Sequence, residues 1–306
     1  MPAGVINTGT HPKLLWPGVY DTWGQIYDEH EEEYCHLYDV HDSDKAYEEL
    51  VQITPFGLAP VKSEGAPVTY DSELQGPVSR ALHTAYALGY IVTFEELRDN
   101  LYEVVANRRA SGNAFSMRQT VENVATFPWN SAFVTTFQTT ADGQAWISAT
   151  HTNTTGGTFS NALTPAADLS EAAIEDLTIQ IMQTANDRGN LISIMPRSLH
   201  ISVNEWYNAN RILKSVLQSN TTSNNINVLN ATNVFPEGIY MNHYFTNAHP
   251  WFIRTNCPHG LFFFWRDKPI FDQDNDYDTK NAKAATYMRF STLLNDPRAL
   301  FGSNGP

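Results

Sequence analysis

The stretch ADGQAWISATHTNTTGGTFSN, residues 141–161, collects the residue types of a hydrolytic site around one histidine. His151 has the ring of a general base. Thr154 or Ser160 would be the nucleophile, and Gly156–Gly157 a turn whose N–H groups face an oxyanion. Such a site needs a base, an orienting group and a nucleophile brought together. The chain has no G-x-S-x-G elbow, phosphate loop, dinucleotide fingerprint or clustered Cys/His set to supply them. His30, His36 and His41 lie in the acidic segment 26–52, but the zinc-protease spacing puts a second His four residues after the first, and position 34 is Tyr. Asp272, Asp274, Asp276 and Asp278 alternate as a calcium loop begins. The sixth and twelfth positions are then Tyr277 and Lys283, where Gly and Glu are required. Cys257 and His259 are neighbours in NCPHG, which is not how a cysteine nucleophile meets its base. His200 and His243 sit in strand-like runs and read as structural. No catalytic residue, metal or cofactor is therefore expected. The plainer reading of residues 141–161 is a polar loop between two folded parts.

The totals agree with that. A chain of 306 residues can bury one large core or two ordinary ones. Its formal net charge of −14 opposes the phosphate neutralisation on which nucleic-acid binding rests. The one dense basic patch, Arg108, Arg109 and Arg118, is expected to bridge acidic neighbours rather than face DNA. Two distant cysteines, Cys35 and Cys257, read as reduced thiols of a chain made in a cytosol. The first residues lack a signal-peptide pattern, and GLFFFWRD is too short to span a bilayer.

Along the chain, residues 1–25 mix Gly, Pro and Thr with Trp16, Tyr20 and Trp23, and read as an extended arm with aromatic anchors. Residues 26–52 read as a solvated amphipathic segment. Residues 53–92 carry Pro55, Pro60, Pro67 and Pro77, which avoid central strands and suggest a long projecting hairpin. Thr93 with Glu96 forms a capping box that opens one long helix, bent or broken near Gly112 and closed by Pro128. Asp168 or Ser170 should cap a helix that Gly189 ends, and Asn204 should cap another. Short strands are expected in LISIMP, LHISV, GIYMNHYF, WFIRTN and GLFFFWRD, and a last one in AKAATYMRFST. The alternation over 166–270 predicts a mixed α/β lobe.

Taken in order, these pieces resemble the major capsid protein of tailed bacteriophages, the Hong Kong 97-like fold, and most of all the Mu-like major head subunits. GYIVTFEELRDNLYEVV, DGQAWISATHTNTTGGTFSN, LSEAAIEDL, PRSLHISVNEWYNANRIL, WFIRTN, GLFFFWRDKPIFDQDNDYDT and YMRFSTLLNDPRALFGSNG carry the resemblance over nearly the whole chain. It implies an α+β fold with an N-terminal arm and acidic segment (1–52), an extended β-hairpin loop (53–92) and a peripheral domain with its spine helix (93–165). An axial domain (166–270) and a return to the peripheral domain (271–306) complete it. The implied function is self-assembly into the icosahedral shell that encloses a double-stranded DNA genome, without catalysis. The subunits would meet as hexamers and pentamers, with portal, scaffold and possibly decoration proteins as partners, in a virion built in the bacterial cytoplasm. Trp16, Tyr20, Trp23, Phe56, Leu58, Val61, Lys62 and Glu64 are the expected intersubunit contacts. By the same resemblance His151 would be a turn or interface residue of a peripheral-domain loop, with Asn153, Thr154 and Asn161 bonding loop backbone. Some relatives cross-link a hairpin lysine, and Lys62 beside Glu64 occupies that region. An encapsulin-like compartment and a soluble hydrolase with dispersed carboxylates are the rival readings.

Overall fold

The computed structural model describes residues 16–98, 102–218, 225–276 and 278–305, apart from the side chains of 16–18, 97–98 and 102–106. Residues 16–25 of the expected arm are helical: α1 spans Trp16–Glu29, and the rest of the arm, 1–15, lies outside the described residues. Pro17 is tolerated in a first turn, where its missing N–H has no partner to lose. Val19, Trp23, Ile26 and Tyr27 then recur at helical spacing and pack into a core. The acidic segment that follows is not a solvated stretch either. It forms α2 (Tyr34–Leu37) and β1 (Asp39–Asp42), and buries Tyr34, Leu37 and Tyr38.

The hairpin starts earlier and ends earlier than its prolines suggest. β2 (Tyr47–Thr54) pairs antiparallel with β3 (Leu74–Leu82), and residues 55–73 form the loop between them. β4 (Thr84–Val92) has left the hairpin and lies on β11. Next come α3 (Phe94–Arg98) and α4 (Tyr102–Asn130). α4 runs unbroken through Gly112 and two residues past Pro128. Its buried face is built from Ala110, Ala114, Met117, Val121, Ala125 and Trp129. Small residues let the helix lie close to the sheet.

β5 (His151–Thr152) and β6 (Thr158–Phe159) form a small hairpin inside the polar loop. α5 (Glu171–Met182) is capped by Ser170, whose side chain accepts the Ala173 N–H at 3.2 Å. It ends seven residues before Gly189, which instead serves a tight turn at φ +79°. β7 (Pro196–Ser202), α6 (Trp206–Lys214), α7 (Val228–Ala231), β8 (Ile239–Asn242) and β9 (Trp251–Thr255) follow. Asn204 lies in a 3-10 turn ahead of α6 and does not cap it. The long strands β10 (Leu261–Asn275) and β11 (Ala282–Leu294) and the short β12 (Leu300–Ser303) close the fold.

Two four-stranded sheets organise the molecule, in the orders β1-β10-β11-β4 and β12-β9-β7-β8. α1, α2 and α4 cover the first, and α5, α6 and α7 pack with the second. The expected boundary at residue 270 therefore moves: β10 already belongs to the first sheet from Leu261, while β12 returns to the second. Strand alternation binds the two cores together. Trp251, Ile253 and Phe301 face the second core, whereas Phe252 and Leu300, between them in sequence, face the first.

Candidate assembly surfaces

The loop 141–161 is a structural clip. Asp142 accepts from His151 Nδ1 at 2.8 Å, from the Thr152 N–H at 3.1 Å, from the Gln144 N–H at 3.2 Å and from the Thr140 hydroxyl. Burial pushes its carboxyl up, but His151 and these hydrogen bonds outweigh burial and hold it well below the usual carboxylate range. An Asp–His pair is the orienting half of a hydrolytic triad. The other half is missing among the described residues. Ser160 Oγ donates to the Ala162 carbonyl at 2.9 Å, Thr154 Oγ1 lies 3.4 Å from Asp187, and His151 Nε2 is buried without a partner. His151 is wholly buried and stacked on Phe159, so it is not an interface residue of the folded subunit.

Asn161 is the centre of the clip. Its Nδ2 donates to the carbonyls of Trp146 (2.8 Å), Leu300 (2.9 Å) and Pro297 (3.1 Å), and its Oδ1 accepts the Ser148 N–H at 2.8 Å. Asn153 does not bond loop backbone through its side chain; its Oδ1 accepts from Arg298 at 2.7 Å. Thr154 likewise turns to a carboxylate rather than to backbone.

A second polar knot joins α1, α2, α4 and the segment after β8. Glu122, buried on α4, accepts the N–H groups of Glu33 (3.2 Å) and Tyr34 (2.9 Å), and so caps α2 from outside it. Burial raises its carboxyl to about 8, with Glu33 adding to the rise and Arg118 opposing it. Arg118 binds Glu32 at 2.8 Å and the His30 carbonyl at 3.2 Å. Burial pushes Glu32 up, yet Cys35 and Arg118 hold it below its ordinary value. Burial and Glu32 push the Cys35 thiol up to about 12. Glu33 in turn takes the His243 N–H at 2.8 Å. Arg109 binds Glu96 through both terminal nitrogens, at 2.9 and 3.1 Å. The capping box is thus only half made: Thr93 Oγ1 accepts the Glu96 N–H at 3.4 Å, while the Glu96 side chain turns to Arg109. Arg109 and Arg118 bridge to carboxylates as expected, and Arg108 is exposed.

The expected contact residues separate into two groups. Trp23 belongs to its own subunit: 6% exposed, stacked between Tyr27 and Phe271 at 5.0 and 5.5 Å, its Nε1 donating to Asn113 at 3.0 Å. Helical spacing, hidden by the Gly/Pro content, is the signal that would have found this. Tyr20 stays half exposed on the same helix, and the Trp16 side chain lies outside the described residues. The loop 55–73 holds the others, and all are exposed: Phe56, Leu58 (81%), Val61 (98%), Lys62 and Glu64. Val68 and Tyr70 extend this apolar surface. A groove of about 650 Å³ lies elsewhere, between the hairpin root, α4 and β11. Leu82, Phe127 and Phe137 line it and are themselves exposed.

The subunit thus has two sheets, a long helix against one of them, and a loop whose apolar side chains neither core covers. Residues 78–302 match the model of the phage capsid protein family, and the chain belongs to that family. Its fold is Hong Kong 97-like. It is similar to the capsid of a native GTA particle, at 12% identity and a TM-score of 0.53 over 99% of this chain and 93% of that one. It is similar to the capsid of Ralstonia phage GP4, at 12% identity and 0.51 over 89% and 87%. It is also similar to a virus-like particle from Pyrococcus furiosus, at 11% identity and 0.50 over 94% and 99%. No curated protein sequence matches the chain. The protein is a phage capsid protein, a structural subunit of the virion.

Proposed function

We propose that this subunit closes into the icosahedral head of a tailed phage around double-stranded DNA, using the loop 55–73 as its main reach to a neighbour. One observation carries the reading: Phe56, Leu58, Val61, Val68 and Tyr70 are exposed together on a loop that the subunit's own cores do not cover. A monomer gains nothing by leaving such groups in water, and each recovers about 25 cal/mol per Å² when a partner covers it. The groove lined by Leu82, Phe127 and Phe137 offers apolar surface of the same kind. Lys62 and Glu64 sit at the rim of that contact, and Tyr20 forms a smaller one on α1. Repetition of modest interfaces around five- and six-fold centres supplies the avidity of a closed shell.

Within the family, the order of elements supports the Mu-like head subunits as the branch. Portal, scaffold and decoration proteins are the partners such a head uses, and the host cytoplasm is where it is built. The subunit does no catalysis in this reading, because its Asp–His pair has no nucleophile beside it among the described residues. Electron microscopy and light scattering of the purified protein test the proposal. Closed polyhedral shells from the wild type, and folded unassembled subunits from Leu58→Asp/Val61→Asp, are expected. A variant that still closes normal shells removes the loop from the mechanism. Shells that form in the phage-infected cell without nucleic acid would favour the compartment reading instead.

A further inference from the structure

The turn 186–190, between α5 and β7, touches both the first lobe and the projecting loop through adjacent residues. Ala185 bridges Leu191, Gly189 takes positive φ, and Asn186 Oδ1 accepts the Arg188 and Asn190 N–H groups, so the turn is built tightly. Asp187 accepts from Arg298 at 3.0 Å, an ion pair almost wholly buried, and from the hydroxyls of Thr154 and Thr155. The next residue reaches the other way. Arg188 Nη1 lies 3.1 Å from Asp71, and its Nη2 donates to the Ser72 carbonyl at 2.6 Å. Asp71 also accepts the Gly57 N–H at 2.8 Å. The guanidinium thus holds the returning leg of the loop at residues 71–72, and the Asp71 carboxylate ties that leg to the outgoing one at Gly57. Position 57 has little room for more. A Cβ there would sit 3.3 Å from Asp71 Oδ2 and 3.5 Å from Arg188 Nη1.

We infer that Arg188, Asp71, Ser72 and Gly57 form a clasp by which the second lobe sets the direction of the projecting loop. The clasp sits at the base of the loop, where Phe56, Leu58 and Tyr70 flank Gly57 and Asp71 and stay exposed, and Val61 and Val68 lie further along it. A flexible loop of this length would otherwise sample many directions, and a partner would have to select one at an entropic cost. With the clasp closed, the loop is presented already aimed. Because Asp187 and Arg188 are consecutive in one tight turn, a rotation of the second lobe carries the loop with it. The Asp71–Arg188 pair is partly exposed, so it is weak enough to open and sensitive to salt.

The test uses the unassembled full-length chain, so it stands independently of shell formation. Spin labels at Lys62→Cys and Val216→Cys, with Cys35 and Cys257 replaced by serine, report the distance from loop tip to second lobe. A single narrow distribution is expected, which broadens and shifts in Arg188→Gln. Arg188→Lys should restore it in part, since a point charge keeps Asp71 but not the forked contact to Ser72. Salt at about 1 M should reproduce part of the broadening. Should Arg188→Gln fail to fold, Asp71→Asn makes the same break from the loop side. A broad distribution in the wild type, or one unchanged by both substitutions, overturns the clasp.

Discussion

Asn161→Ala provides the sharpest test of how the clip holds the subunit together. The side chain is fully buried, and its two N–H hydrogens serve three carbonyls while its oxygen serves Ser148. Two donated bonds and one accepted bond, at about 1 kcal/mol each, amount to about 3 kcal/mol. Leaving the Ser148 N–H and the carbonyls short of partners brings the loss to roughly 3–4 kcal/mol. Unfolding entropy of about 2.1 cal/mol/K per residue over 306 residues is roughly 0.6 kcal/mol/K, which converts this loss to a fall in Tm of about 5–6 °C. The assay is thermal unfolding of the unassembled subunit followed by circular dichroism. Asn161→Asp should be at least as damaging as the alanine, because a carboxylate oxygen would then face three carbonyls in place of a donor. A Tm within about 1 °C of wild type for the alanine variant, or an aspartate variant as stable as wild type, would refute the reasoning.

Gly112→Ala should stabilise α4 by up to about 1 kcal/mol, since the position is helical and an added Cβ meets nothing within 4 Å; denaturant titration checks this. Glu122 has a folded value raised to about 8 above its ordinary 4.5, so its contribution is fully present below pH 4.5 and is lost as pH rises through 8. Wild-type stability relative to Glu122→Gln should therefore fall across that window, and a flat difference would show that the carboxyl is not buried. Asp142 titrates in the opposite sense. Its folded value is depressed, so its contribution is present above 3.8 and lost on further acidification, and Asp142→Asn should flatten acid unfolding below about pH 4. Trp23→Ala should cost about 3–5 kcal/mol in the isolated subunit, the expected loss for a core aromatic, whereas an interface role alone would leave the monomer's stability unchanged.

The sequence made the long helix, the β10–β11 return and the Ser170 cap legible because each rests on local pattern. Hydrophobic spacing, a capping side chain and the aromatic run LFFFW are visible without the fold. The helix at Trp16–Glu29 was hidden because its Gly and Pro content argues for coil, while its i, i+4, i+7, i+8 stripe is decisive only once a sheet is there to cover it. β12 is only four residues long and follows a 3-10 turn, so its pairing with β9 is a tertiary fact. The exposed loop was readable because prolines and scattered apolar groups mark a projecting segment. Arg188 was not. A single arginine in a polar turn carries no signal until residues 57, 71 and 72 arrive beside it.

The sharing of β9 and β12 between the two cores bears on when a subunit becomes competent. β11 lies in the middle of the first sheet, between β10 and β4, and β12 lies on β9 in the second. Both strands leave the ribosome after every other described element. Until residues 282–303 emerge, β4 lacks its sheet partner, and Phe252 and Phe301 cannot take up their opposite faces. The two lobes thus share their last strands. A chain cut before residue 282 therefore lacks a strand of each sheet, and both cores lose a side chain that the last strands supply.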